Sequence, residues 1–476
     1  MISLEANRLP FVSQIPDLSY WTDSLRAWPT PSEIWINWYT RISKKHLADW
    51  DKLGIADAIS LSLFPIERNE NLLKTIGYFW SDTMNCFVFG HGPMSPTLLD
   101  VQMITGLDIS SSSPSAFNSL DVPYKFSSKT DCTNWGSYLH QHAKTSGPVS
   151  EKEHTAFLNL WLEHFLFCGS SLAPTKNYIS LAYDLARGSS LGLGKLFLGE
   201  LYRCLHSATH NLLTWKKIKA GGPWWFIQLW ANLYFQSSID NFPSLTGCLF
   251  PDSTGKKMRC TSYGQALYSL PGSKLKAPEA ANWFKIFYQG LAEPNFFPYS
   301  EAGHFENPVR FKLDMFADDL ETRQLFSLMI KPCFLPVGMS SANRTVKPGY
   351  EAYQPVLMAR QFGLGQVPPH LFINHLTQVR ADLPTGLAAV KCYSCFDNLQ
   401  VSIPPDTNLC FTTDGFGTWW SLWKSHVFWR QLGARLLAID RNYHVREEEV
   451  KTNLILLYSI LSESETDLSY AGSERP

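Results

Sequence analysis

Charge is scarce in this chain. Only 17% of its 476 residues are Asp, Glu, Lys or Arg, against roughly 25% in ordinary domains. The 41 basic and 42 acidic residues leave a net charge of −1. Binding nucleic acid through its phosphates calls for a basic surface, so nothing global points to a polyanion partner. Long apolar runs are missing as well: no window reaches the roughly 18 unbroken apolar residues that suggest a membrane span. The N-terminus, Met1 to Pro16, lacks the basic start and apolar run of a secretion signal. No dense Lys/Arg run marks nuclear import. The ten cysteines show no framework spacing, which fits reduced thiols in cytosol or nucleus. No segment repeats at a fixed period.

Motifs that carry chemistry are thin. The glycines of Gly188–Gly194 and Gly363–Gly365 lack the order of a dinucleotide fingerprint and the lysine–hydroxyl pair of a phosphate loop, so turns and caps explain them. There is no GxSxG elbow. Cys392 and Cys395 form one CxxC, and a single pair cannot close a tetrahedral zinc site. His206 and His210 are four apart on an expected helix, a spacing that can bring two imidazoles to one metal. They face away from its apolar stripe, however, and His206 is followed by Ser207 instead of the glutamate of a zinc protease. These four residues are the weak metal candidates. Plain thiols and polar-face histidines are the simpler readings, and no cofactor is expected.

Aromatic residues are what the chain has in abundance: 14%, including 17 Trp. They concentrate in Pro223–Phe235, PWWFIQLWANLYF. At helical spacing this stretch is apolar on every side except a stripe of Gln228 and Asn232, which describes a buried central helix. Its amides then need hydrogen-bond partners. Pro223 suits the first helical position. Gly194–Leu213 reads as the preceding helix, and the short loop between them predicts an antiparallel pair.

Further helices are expected from Pro31 to about Leu53 (with Arg41, Lys44 and Lys45 as a solvated basic face), over Leu72–Trp80, after Ser95 and after Ser150. Ser95 serves as a cap with Pro96 first in its helix, and Gly106 ends that helix. Ser150 and Glu153 suggest a capping box. Others are expected over Leu313–Ile330, before Gly363 and from Phe416. Asn85–Gly90 and Pro332–Gly338 read as short extended pieces. The Ser-rich stretch 108–150 and residues 251–276 read as loops. The sum is a mainly α chain: a surface segment 1–30, one large helical globular domain over 31–440 with a few short strands and long loops, and a helical end with a polar tail over 441–476.

Three stretches carry a resemblance: FGHGPMSPTLLDVQMITGLDI (Phe89–Ile109), LFLGELYRCLHSATHNLL with FIQLWANLYF (Leu196–Phe235), and ARQFGLGQVPP (Ala359–Pro369). In this order and at these separations they resemble the plant mobile domain, found in MAINTENANCE OF MERISTEMS-like proteins and in plant transposable elements. The positions that match the family pattern include Gly92, Thr97, Asp100, Gly106, Tyr202, Gln228, Trp230, Arg360, Gln361, Phe362, Gly363, Gln366 and Pro368. The chain departs from it where Pro93-Met94 stands in place of a frequent glutamate, and in its longer Ser-rich insertion. The resemblance implies a largely helical nuclear protein linked to meristem maintenance and transposable-element silencing. A serine/threonine phosphatase-like protein is its implied partner.

The family is also labelled aminotransferase-like. No lysine here sits in a recognisable pyridoxal-phosphate arrangement, so no catalytic residue carries over and no enzyme is expected. A transposon-derived nucleic-acid binder and a metal-dependent enzyme stay as alternatives. Arg360 has two readings, a buried hydrogen-bond hub or an interface anchor.

Overall fold

The computed structural model describes residues 9–10, 17–21, 25–111, 122–128, 130–218, 221–236, 245, 249–251, 256–260, 262–269, 280–290, 294–299, 319–338, 349–368, 401 and 410–424. Two compact units separate, Met1–Val427 and Phe428–Pro476. The second lies outside the described residues, as do Cys392, Cys395, residues 112–121 of the Ser-rich stretch and the beginning of the expected Leu313–Ile330 helix.

The first unit is mainly α, as its sequence leads one to expect. Helix α1 (Glu33–Leu53) starts where the Ser32 side chain accepts from Trp35 N and ends at Gly54, whose φ of 66° is left-handed. Its Trp35, Trp38, Ile42 and Trp50 are buried. Trp35 stacks on Phe157 with 4.5 Å between ring centroids, which seats α1 on a later helix, Glu151–Leu160.

The basic face expected on α1 is not simply solvated. Arg41 pairs with Glu153 at 3.0 Å and Lys45 Nζ donates to Val149 O at 3.0 Å. Trp38 Nε1 also donates to Glu153. The expected capping box is therefore half made: Ser150 accepts from Glu153 N, but the carboxylate turns to the charged guanidinium, the stronger partner.

After α2 (Ala56–Leu61) comes α3 (Glu70–Ile76). It stops at Gly77, earlier than the expected Trp80, and one 3₁₀ turn later Trp80 opens a sheet. Strands β1 (Trp80–Ser81), β2 (Cys86–Phe89) and β3 (Gly92–Met94) are antiparallel, with Phe87 opposite both Trp80 and Met94. Every residue in them is buried. Helix α4 (Leu98–Thr105) is capped by Thr97, not Ser95. Thr97 accepts from Asp100 N, and the Asp100 carboxylate accepts from Thr97 N, a reciprocal box. Gly106 ends it at φ 70°.

Within the stretch expected to be loop, α5 (Trp135–His142) forms where Asn134 accepts from Ser137 N. Helix α6 (Glu151–Leu160) runs into a π turn, Trp161–Leu166, before α7 (Ile179–Ala186). Helices α8 (Leu193–Leu213) and α9 (Trp224–Tyr234) fall where the pattern places them, with Pro223 one position earlier, at the N-cap.

The two do not pair antiparallel. Helix α8 packs chiefly on α4 and on a later strand, Cys333–Val337, while α9 packs on α3 and on Tyr263–Ser269. The ends that touch are both N-terminal, Phe197 against Phe226. The connection is diverted: Ile218 N donates to Tyr20 O and Gly222 N to Cys168 O.

Residues 251–276 hold more than loop. Strands β4 (Leu249–Pro251) and β5 (Lys257–Arg259) form a hairpin, followed by α10 (Tyr263–Ser269). The described chain continues with α11 (Ala280–Gln289), α12 (Leu320–Ile330), the antiparallel pair β6 (Cys333–Val337) and β7 (Gly349–Tyr353), a 3₁₀ helix Pro355–Phe362, and a helix over 414–424. The core gathers around β1–β3. Trp80 meets Tyr202 edge-on, Phe87 stacks on Trp230, and Phe89 stacks on Phe287.

Candidate functional site

The three sequence stretches that carry the family pattern are far apart in the chain and meet in one buried polar network. Its centre is Asp100, fully buried. Its Oδ2 accepts from Thr97 N and Oγ1, both at 2.7 Å. Its Oδ1 accepts from Tyr234 OH at 2.8 Å and Tyr299 OH at 2.6 Å. Burial pushes the carboxyl up to about 6, against these donors, which favour the charged form and pull it down.

Next to it, Tyr202 OH donates to Pro96 O at 2.8 Å and accepts from Ser95 Oγ at 3.0 Å. Gln361 takes Ser95 N and gives to Ser95 O, both at 2.9 Å. That exchange removes Ser95 from capping. Tyr353 OH donates to Met329 O at 2.7 Å. One knot therefore ties α4, α8, α9, β7 and the 3₁₀ helix together.

The remaining pattern positions brace it. Gln228 fills its expected need for partners, accepting from Asn69 N and donating to Glu67 O. Asn232 Oδ1 finds none. Gly363 ends the 3₁₀ helix at φ 71°, and Phe362 meets Phe326 edge-on. Gln366 gives its side chain to Val356 O, while its backbone pairs with residues 411–413. Pro368 is exposed.

Arg360 is 6% exposed. Its Nη2 donates to His91 O at 3.1 Å, its guanidinium lies 3.8 Å over the Phe296 ring, and a Cβ at Gly92 would collide with it. Burial draws it down to about 10, so it stays charged at neutral pH. Arg360 therefore sits inside the fold on a single side-chain hydrogen bond and an aromatic bed.

The metal candidates stay apart or lie elsewhere. The rings of His206 and His210 are 6.3 Å between centroids, and His206 Nδ1 lies 3.6 Å from Asp82. Cys392 and Cys395 are outside the described residues. Among the described residues no group of three or more His, Cys, Asp or Glu is placed to hold a metal, and no helix is long and apolar enough to cross a membrane.

A cavity that the pattern of motifs does not announce lies between α5, the π turn, the segment after it and α8. It measures about 150 Å³ and is lined by Trp135, Glu163, Ser170, Tyr178, Glu200 and Arg203, among others. Gly169 and Ser170 at its rim are exposed, whereas Glu163 and Glu200 at its floor are buried. Glu163 accepts from Thr175 N at 2.8 Å and Lys176 N at 3.1 Å. Burial raises its carboxyl to about 7. Glu200 pairs with Arg203 and accepts from Gly338 N at 2.7 Å. Next in sequence to its lining residues Gly169 and Thr175, Cys168 and Lys176 sit at φ 46° and 96°, unfavourable for side-chain-bearing residues. π turns recur at functional sites. Glu163 belongs to the π turn that follows α6. From that turn it lines the cavity.

No curated protein and no solved structure matches the chain. The family model "Plant mobile domain" matches residues 54–421, a span that takes in the whole Asp100 network and the cavity, and the chain belongs to the plant mobile domain family.

Proposed function

We propose that this chain is a non-enzymatic nuclear protein-interaction module. It serves transposable-element silencing and meristem maintenance, as the family membership suggests, with a serine/threonine phosphatase-like protein as its partner. The observation that carries the non-enzymatic part is the use of the pattern residues. Apart from Pro368, they are spent on caps, turns, ring contacts and intramolecular hydrogen bonds, and none lines the cavity. A pattern of this kind marks a scaffold whose activity lies in what its surface holds.

The surface beside the last motif supports the reading. Val367, Phe411 and Leu422 are exposed, and Gln366 N donates to Phe411 O. Aromatic residues such as Phe411 are enriched at interfaces, and apolar neighbours such as Val367 and Leu422 can pack around them. A nucleic-acid partner is less favoured, because the net charge is −1 and Arg41, Arg203 and Arg360 are engaged within the fold. Co-expression of the chain with a plant serine/threonine phosphatase-like protein tests the proposal. A complex of fixed stoichiometry is expected, and Val367→Asp with Phe411→Asp should abolish it without lowering thermal stability. Two separate monomers on size-exclusion chromatography would overturn it.

A further inference from the structure

The chemistry of the cavity selects its guest by charge. Glu163 and Glu200 face it with one cation, Arg203, which is already paired with Glu200. One buried carboxylate is left without a cationic partner among the lining residues, a costly arrangement that a bound cation would relieve. An anion finds little there. The Thr175 and Lys176 N–H groups point at Glu163, Gly169 N donates to Glu163 O, and the Ser171 hydroxyl donates to Ala173 O.

Two walls are aromatic, Trp135 and Tyr178, and aromatic faces attract organic cations, tryptophan best of all. The volume of about 150 Å³ matches cavities that admit a benzene-sized guest. It has room for a short alkyl chain with a charged end. Strong anchoring keeps the floor in place: the π turn carries Glu163, and the strained Lys176 is held by the hydrogen bond its N–H makes to that carboxylate.

We propose that this cavity receives a primary ammonium at the end of an alkyl chain, supplied as a lysine side chain of a protein partner. The chemistry of the guest stands on the cavity alone; its source rests on the protein-interaction reading.

Calorimetry on the full chain tests both. The probes are n-butylammonium and the neutral isostere n-butanol, then a short peptide with one lysine and the same peptide with norleucine. Butylammonium should bind about tenfold or more tightly than butanol, the discrimination expected of a desolvated carboxylate with a cation–π wall. Trp135→Ala should cut that affinity about fivefold or more, with a modest loss of thermal midpoint for its ring contacts to Tyr138 and His164. Glu163→Gln should abolish the preference for the cation. Because Glu163 also holds the 175–176 backbone, Trp135→Ala keeps the test valid if that variant loosens. Equal binding of amine and alcohol, or full binding by Trp135→Ala, would overturn the proposed guest. Binding of the free amine with equal, weak response to both peptides would keep the ammonium site but overturn its protein source.

Discussion

At the scale of single residues, the two charged groups of the buried network behave differently because their surroundings differ. Asp100 has four donors on two oxygens. In Asp100→Asn one of those oxygens becomes an NH2 group, and at least one buried donor loses its acceptor. Each such loss costs roughly 1–3 kcal/mol, so a destabilisation of about 2–3 kcal/mol is expected in urea unfolding. Unchanged stability would mean the network contributes nothing. Arg360 has one backbone acceptor and an aromatic bed, and its Nε has no partner. No carboxylate is stranded when it goes. Arg360→Met, which keeps the packing bulk, should therefore cost well under half of what Arg360→Ala costs, the latter being about 3 kcal/mol. Equal losses would show that the charge itself matters.

Among elements, the close approach of α8 to the β6–β7 pair rests on Gly199. A Cβ there would collide with Pro336 O. Backbone has little room to move aside, so Gly199→Ala should lower stability by about 1–3 kcal/mol despite its better helix propensity. A gain in thermal midpoint would show that the strand yields.

How legible each element is in the sequence follows from how local its cause is. Helices α1, α8 and α9 read clearly, because long apolar periodicity and flanking Ser32, Gly54 and Pro223 are local signals. Helices α5 and α10 are hidden. They are short and lie in stretches of Ser, Gly and Lys, and Tyr138 and Tyr263 become core residues only against Ala156 O and Pro298 O far along the chain. The cap of α4 is misread by two residues for the same kind of reason: Ser95 looks like a cap until Tyr202 and Gln361 claim it. The π turn has no sequence signature at all, and with it the cavity stays invisible. Within the Asp100 network, the motif residues are legible as a set, while their convergence belongs to the tertiary fold.

At the scale of the molecule, the balance of buried titratable groups among the described residues bears on how it answers to acid. Burial lowers His91 and His154 to about 3 and His142 and His164 to about 4, from 6.5. Such groups contribute stability above pH 6.5, and it is lost as pH falls, since unfolding lets them take up protons. His154 shows the geometry behind it: its Nε2 accepts from Trp50 Nε1, which requires the neutral ring. Asp100 and Glu163 act in the opposite sense. Their carboxyls are raised from 3.8 to about 6 and from 4.5 to about 7, so what they add is present at low pH and lost as pH rises through those values. Near pH 5 unfolding frees the four histidines to bind about four protons while the two carboxyls release about two. The net uptake of about two protons gives a slope of roughly 3 kcal/mol per pH unit. The histidines therefore prevail, and stability should fall steeply between pH 6 and pH 5 and be nearly level around pH 7. Urea midpoints at pH 5, 6 and 7 check this directly, and His154→Gln should flatten the slope by about one proton's share. Stability that rises on acidification would place the balance with the carboxyls instead.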